Sequence, residues 1–138
     1  MTEPPTRREL IEPFLAHSPF VAHLGLRLST LEPDRAILEM PFRPELATFG
    51  EVVHGGAIAA LLDTAAMTAA WSDDTVPTSP AGATVSLAVD YVAPAKGQDL
   101  TATATVTRRG QRLCFVRVEV TDPEDRVVAS ALVTHAFA

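Results

Sequence analysis

The segment from Val52 to Ser72 constrains the fold of this chain more than any other. It reads VVHGGAIAALLDTAAMTAAWS, with two glycines near its start, small and apolar residues along most of its length, and Asp63 as its one acid. Small apolar residues at this density predict one long helix over Gly56 to Ser72. Because that helix is apolar almost all round, we expect a sheet to cover one side and a second subunit to cover part of the rest.

The carboxylate of Asp63 is expected to face protein rather than water in this helix. An unpaired charge in such surroundings is costly, and burial changes the reactivity of a carboxyl group. Asp63 therefore has either a structural role, in which an arginine or hydroxyl groups pair with the carboxylate, or a catalytic role.

Alternating apolar and polar residues predict strands on both sides of the helix. The expected elements are a short helix, two strands, the long helix and four more strands, at Thr6 to His17, Leu24 to Thr30, Arg35 to Phe42, Gly56 to Ser72, Thr84 to Tyr91, Leu100 to Thr107, Leu113 to Thr121 and Val127 to Phe137. Arg43 to Val53 is expected to be a loop. Strands joined by short turns imply an antiparallel sheet, and one helix on its face gives a two-layer α+β domain.

The composition fits a single domain of 138 residues, in which residues 1–20 form an N-terminal tail and the short helix. A net charge of -6 argues against a nucleic-acid partner. No segment has the length and hydropathy of a membrane span, the N-terminus lacks a secretory signal, and Cys114 has no partner for an internal disulfide, so we expect a cytoplasmic protein. The four histidines lack metal-ligand spacing, so we expect no metal site.

The HGG segment and the order of elements together resemble the hotdog fold, and within it the acyl-CoA thioesterases of the phenylacetate-pathway (PaaI-like) type. The resemblance covers about Leu24 to Phe137 and is carried by His54-Gly55-Gly56, Asp63, Thr84 to Tyr91, Pro94-Ala95 and Arg109-Gly110-Gln111-Arg112. It implies about six antiparallel strands wrapped around one long helix. It also implies hydrolysis of a hydrophobic acyl- or aryl-CoA to free acid and CoA without a cofactor, by a homo-oligomer built as a dimer of dimers with shared sites.

Gly55, Gly56 and Asp63 are the principal candidates for catalysis. The glycines lie where loop becomes helix, so unpaired N–H groups and the helix dipole can polarise a carbonyl there, with Gly56 as the main expected donor; alternatively they only permit a tight turn. Gly56 and Asp63 share a helical face but lie about 10 Å apart along the axis. The resemblance implies that the acid comes from the partner subunit. Asp63 then acts as a general base on water or as a nucleophile that forms an anhydride.

Five further positions bear on the reaction. His54 either contacts the thioester or organises the turn. The resembled family usually carries Asn or Gln six residues before this histidine to orient the attacking water. This chain has Thr48 there, a candidate for the same role with a hydroxyl but no amide. Related aryl-CoA enzymes carry Thr or Ser one turn after the acid, where this chain has Met67. Thr64 and Thr68 offer hydroxyl groups nearby, although helix hydroxyls often bond back to the backbone.

The phosphates of CoA need basic partners in an acidic protein. Arg109 and Arg112, on either side of Gly110, can pair with phosphate oxygens, or they belong to a solvated hairpin tip. The candidates for the acyl pocket, each also a candidate core residue, are Phe49, Met67 and Trp71. Two rival functions stay open: a hydratase or dehydratase, for which His54 is poorly placed, and a non-catalytic acyl-CoA binding or sensing module, which Thr48 keeps open.

Overall fold

The computed structural model describes residues 2–138 and begins with two short helices before the first strand. Met1, part of the predicted N-terminal tail, lies outside those residues. Helix α1 is Arg7–His17, and Thr6 is its N-cap, since the Thr6 side chain accepts a hydrogen bond from the backbone N–H of Glu9. Helix α2 is Pro19–Leu24 and was not predicted, because it is only six residues long.

One six-stranded antiparallel sheet forms the frame of the domain. Its strands are β1 (Arg27–Glu32), β2 (Arg35–Met40), β5 (Gly82–Tyr91), β6 (Leu100–Arg109), β7 (Leu113–Thr121) and β8 (Val127–Phe137). They lie in the order β1-β2-β6-β7-β8-β5. The six predicted strands and the α+β class are confirmed, but β1 begins at Arg27 rather than at the predicted Leu24, which is the last residue of α2. None of the helices in the described part of the chain is long and apolar enough to cross a membrane.

The long helix α3, Gly55–Ala70, packs against the sheet opposite β2, β6, β7 and β8. Leu61 and Leu62 are fully buried, and alanines surround them. Burying a leucine side chain stabilises the fold by about 1.5–3 kcal/mol, while the small alanines let the helix approach the sheet closely. The helix begins one residue earlier and ends two residues earlier than the sequence predicts, which moves His54 into the N-cap position.

The segment predicted as a loop before α3 contains a small hairpin. A 3-10 turn, Pro44–Leu46, leads into β3 (Ala47–Phe49) and β4 (Val52–Val53), which form a separate two-stranded sheet. The N–H of His54 donates to the carbonyl of Leu46 across 2.7 Å. The hairpin therefore holds His54 at the N-terminus of α3.

Strand β5 lies at the edge of the large sheet and pairs only with β8. Its pairing contains a bulge between Thr84 and Ser86, so that Thr84 faces α3 alongside Leu87, Val89 and Tyr91. Most of the strand is exposed, including 59% of Val85. Within residues 2–138 no strand covers the outer edge of β5, which leaves backbone donors and acceptors free there.

Candidate active site

The N-terminus of α3 is organised by His54. Its ring Nδ1 accepts a hydrogen bond from the Gly56 N–H across 2.7 Å, and its carbonyl accepts from Ala57 and Ile58. A Cβ at Gly56 would lie 2.8 Å from that nitrogen, so only glycine leaves room for the cap. His54 therefore organises the turn, and the Gly56 N–H expected to polarise a carbonyl is occupied by the histidine ring.

The Gly55 N–H, in contrast to that of Gly56, has no acceptor among the described residues, as expected for the first residue of a helix. The carbonyl of Gly55 accepts a hydrogen bond from the Tyr91 hydroxyl across 2.7 Å, which ties the end of β5 to the start of α3. No local sequence signal indicates that Tyr91 contacts this glycine.

Asp63 is half-buried in the middle of α3 and is held by one hydroxyl group. The Thr84 hydroxyl donates to Asp63 Oδ1 across 2.5 Å, the short distance typical of a hydrogen bond to a charged acceptor. Asp63 takes part in none of the ion pairs of residues 2–138, and its Oδ2 accepts none of their hydrogen bonds. The carboxylate thus has one fixed oxygen and one available oxygen.

Gly55 and Asp63 of one protomer are too far apart to act on one thioester. They are eight residues apart in α3, which corresponds to about 12 Å along the axis. The residues between them hold the helix rigid against the sheet, because Ile58, Leu61 and Leu62 are buried. One protomer therefore supplies either the amide or the carboxylate to a given carbonyl, but not both.

The remaining predicted polar candidates differ in their surroundings. The Thr64 hydroxyl donates to the carbonyl of Ala60, and the Thr68 hydroxyl donates to the carbonyl of Thr64, so both bond back to the helix. Thr68 is fully buried, which removes it from contact with a substrate. Thr48 is exposed on the β3–β4 hairpin, and its role in orienting water stays a prediction.

A cavity of about 150 Å³ lies beside Met67 and Trp71. The indole N–H of Trp71 donates to His135 Nε2 across 2.9 Å, and both side chains are buried. Burial lowers the pKa of His135, an effect that the charge of Asp63 opposes and that of Arg7 reinforces. Of the three acyl-pocket candidates, Met67 and Trp71 therefore line a cavity, whereas Phe49 is 83% exposed on the hairpin.

Arg109 lies at the other end of α3 and is committed to structure. Its guanidinium donates to the carbonyls of Ala69 and Ala70, which end the helix, and forms ion pairs with Asp34 and Asp73. The N-terminus of α3 in the same protomer is about 24 Å away. Gly110 and Arg112 are exposed at the β6–β7 turn, so of the predicted CoA contacts these are the ones that remain open to a ligand.

Comparison with known proteins places this geometry in a family. Residues 50–129 match the thioesterase superfamily, and the chain belongs to it. The medium/long-chain acyl-CoA thioesterase YigI of Escherichia coli K12 is 31% identical over 137 residues, which cover 90% of this chain and 88% of that protein. This result confirms the predicted thioesterase family.

Solved structures confirm the hotdog fold. A thioesterase family protein from Silicibacter pomeroyi is 27% identical, with a TM-score of 0.87 and coverage of 94% of this chain and 96% of that one. PaaI of Escherichia coli, from the phenylacetic acid degradation operon, has a TM-score of 0.82 at 19% identity, with coverage of 96% and 93%, and supports the fold alone.

Proposed function

We propose that this protein hydrolyses the thioester of a hydrophobic acyl-CoA, with an acyl chain of medium to long length, to a free acid and CoA. The observation that carries the proposal is the half-buried Asp63 carboxylate, which has a single hydroxyl donor, no cation partner among the described residues, and an apolar cavity one helical turn away. A purely structural carboxylate in these surroundings would need more donors or a cation. The similarity to YigI, a medium/long-chain acyl-CoA thioesterase, supports this chain length.

Asp63 is proposed as the general base of the reaction. Thr84 holds Oδ1, which leaves Oδ2 to accept a proton from the attacking water. The water oxygen bonds to the thioester carbon, the carbon–sulfur bond breaks, and the CoA thiolate takes the proton back from Asp63. Direct attack by the carboxylate, through an anhydride, is the other route open to it. In a single turnover in heavy-oxygen water, only the anhydride route can place solvent oxygen in Asp63.

The Gly55 N–H is proposed as the donor that polarises the carbonyl, in place of the expected Gly56 N–H. His54 already occupies the Gly56 N–H, whereas the Gly55 N–H has no acceptor among residues 2–138. Both lie at the positive end of the α3 dipole. An oriented amide donor of this kind is typically worth about 3 kcal/mol in the transition state. His54 is then a positioning residue that shapes the turn around Gly55.

The site is proposed to be shared by two subunits, because one protomer keeps Gly55 and Asp63 about 12 Å apart. A second copy fits the open edge of β5, where Val85 and Leu87 are exposed. An unprotected edge strand with exposed apolar residues is a liability unless another strand covers it. The exposed Phe115 and Leu132 on the outer face of the sheet support a further pairing of two dimers.

The contacts of β5 favour one register for that pairing. In each protomer Thr84 binds Asp63 near the start of β5, and Tyr91 binds Gly55 at its end. With the bulge after Thr84, an antiparallel pairing centred on Ala88 aligns Thr84 with the partner subunit's Tyr91. Directly opposite residues have Cβ atoms about 5 Å apart, so this register brings Asp63 beside the partner subunit's Gly55.

The test of the function is thiol release from a panel of acyl-CoAs by wild-type protein and by Asp63→Asn. We expect steady release by the wild type and a loss of at least about a hundredfold in kcat for Asp63→Asn, with unchanged thermal melting. Binding of acyl-CoA by the wild type without thiol release would contradict the proposal and favour a non-catalytic binding module. Full turnover by Asp63→Asn would overturn the role of this residue.

A further inference from the structure

The cavity beside Asp63 has one wall that the catalytic machinery does not provide. Met67 of α3 and Trp71, which directly follows α3, form one side, and Leu10, Ile11 and Phe14 of α1 form the other. The remaining lining residues, at the start of β5 and on β8, are Pro80, Gly82 and His135. Trp71 and His135 hydrogen-bond to each other through Nε2 of the histidine, whose buried Nδ1 has no partner among the described residues. The other lining groups are apolar or lack a side chain, so most of the cavity suits a hydrocarbon.

The cavity lies close to the Asp63–Thr84 pair, although neither residue lines it. Met67 lies one helical turn after Asp63 on the same face of α3. Gly82 lies two residues before Thr84, and both residues face α3, since they pair with the inward-facing Phe137 and His135 of β8. The acyl chain of a thioester bound at Asp63 would therefore reach the cavity within about one helical turn.

The far end of the cavity is rigid. Trp71 and His135 are hydrogen-bonded, and Phe137 packs against both rings edge to face. A Cβ at Gly82 would approach His135 Nε2 to 2.8 Å and Trp71 Cζ2 to 3.2 Å, so the absence of a side chain there keeps the end of the cavity open. Trp71 lies about 12 Å from Asp63 along α3, which limits the depth of the cavity.

The near wall on α1 is less constrained. The Phe14 side chain is 54% exposed at the rim of the cavity, and Leu10 is half-buried. The first turn of α1 is anchored to the segment after α3, through the Arg7–Asp73 ion pair and the backbone N–H groups of Arg7 and Arg8. An acyl chain longer than the cavity would have to pass Phe14 to continue.

We propose that helix α1 sets the acyl-chain selectivity of the site, with Leu10 and Phe14 enclosing the methylene groups of a substrate whose thioester lies at Asp63. The proposal rests on the proposed thioesterase function and adds the residues that select the substrate. Straight, medium-length apolar chains are accepted, because a charged acyl group would be buried without a counter-charge from Lys, Arg, Asp or Glu in the cavity lining. Longer chains are accepted to the extent that Phe14 moves aside.

The kinetic test compares Phe14→Trp and Phe14→Ala with a matched control, Phe20→Ala. Phe20 is a similarly exposed phenylalanine on α2, outside the cavity lining. Across butanoyl-, octanoyl-, dodecanoyl- and hexadecanoyl-CoA, we expect Phe14→Trp to lower kcat/KM for the two longest chains about tenfold and to leave butanoyl-CoA unchanged. Phe14→Ala should raise KM for octanoyl- and dodecanoyl-CoA. An equal effect on every chain, or the same profile in Phe20→Ala, would overturn the proposal.

A second measurement is independent of turnover. Trp71 is the single tryptophan of the chain and lines the cavity, so its fluorescence reports occupancy. We expect brominated dodecanoic acid to quench it in wild type and in Asp63→Asn, and more weakly in Leu10→Asp. Thiol release without quenching would contradict binding of the acyl chain in this cavity but would still agree with the proposed thioesterase function. Quenching without thiol release would support the pocket and contradict the function.

Discussion

The hydroxyl of Thr84 donates to Oδ1 of Asp63 across 2.5 Å, and this bond joins the edge strand of the sheet to the central helix. It gives the carboxylate a fixed orientation without neutralising its charge. The same strand reaches the N-terminus of α3 through the bond from Tyr91 to the carbonyl of Gly55. Strand β5 therefore positions both of the groups that the proposed reaction needs.

Replacing Thr84 tests whether that bond serves the reaction. Thr84→Val keeps the shape of the side chain and removes the hydroxyl, and a hydrogen bond to a charged group is worth about 1.5–3 kcal/mol. We expect kcat to fall between about tenfold and a hundredfold, with little change in KM, because the water-activating carboxylate loses its orientation. Thr84→Ser should restore most of kcat. Loss of activity in Thr84→Ser equal to that in Thr84→Val would point to packing instead.

The register of the dimer can be tested with one cysteine. In a pairing centred on Ala88, the two copies of this exposed residue lie directly opposite each other, within reach of a disulfide. We expect Ala88→Cys to form a covalent dimer on mild oxidation, while the native Cys114 is buried. Ser86→Cys is the matched control, because its two copies lie well apart in this register. Cross-linking by Ser86→Cys but not by Ala88→Cys would place the two-fold axis elsewhere.

Arg109 and Arg112 are predicted to have different roles, Arg109 in stability and Arg112 in substrate binding. Arg109 binds the last carbonyls of α3 and two carboxylates, so Arg109→Ala should lower the free energy of unfolding by about 2 kcal/mol. Arg112 is exposed, so Arg112→Ala should change stability by no more than about 0.5 kcal/mol, and it should raise KM for acyl-CoA. Denaturant unfolding and steady-state kinetics on both variants check this. Unchanged stability in Arg109→Ala would contradict the capping role.

Stability should depend on the titration of His135. Burial lowers its pKa below the usual 6.5, so the unfolded chain binds a proton that the folded protein does not. The contribution of neutral His135 to the free energy of unfolding is therefore fully present above about pH 6.5. It is lost as the pH falls below that value and through the lower pKa of the folded protein. We expect the melting temperature to decrease between about pH 6.5 and pH 5.5. The decrease should be smaller in His135→Gln and unchanged in His17→Gln, which alters an exposed histidine. Equal slopes in all three would contradict this source of pH dependence.

The sequence predicted the large elements because their signals are local. The small-residue run that forms α3 and the alternation in β5 to β8 each lie within one segment, so periodicity alone identifies them. Helix α2 and the β3–β4 hairpin were not predicted, since elements of two to six residues carry too little periodicity. The exact start of α3 depended on His54 acting as N-cap, a role that histidine rarely takes.

The candidate site was predictable in its residue types but not in its contacts. Asp63 could be identified because a lone acid in an apolar helix is conspicuous. Its bond to Thr84 depends on the register of β5 and on a bulge, which are set by pairing across the sheet rather than by the neighbouring sequence. Arg109 was predicted as a possible ligand-binding residue, because the sequence around it does not indicate that the carbonyls at the end of α3 lie beside it.

The shared site can be tested with two complementary variants. Gly55→Pro removes the proposed N–H donor, and proline suits this first helical position because His54 already has the extended conformation that precedes a proline. Gly55→Ala is its control, since it adds a Cβ that meets the same Tyr91 ring but keeps the N–H. We expect Gly55→Pro to be nearly inactive and Gly55→Ala to keep most of the activity.

The most direct measurement is thiol release after Asp63→Asn and Gly55→Pro proteins are mixed and allowed to exchange subunits. A hybrid dimer with shared sites has one intact site, formed by Asp63 of one subunit and the amide of the other, so random exchange should restore about a quarter of wild-type activity. Each variant alone should stay inactive under the same treatment. No recovery in a mixture shown to contain hybrid dimers would contradict the division of the site between subunits.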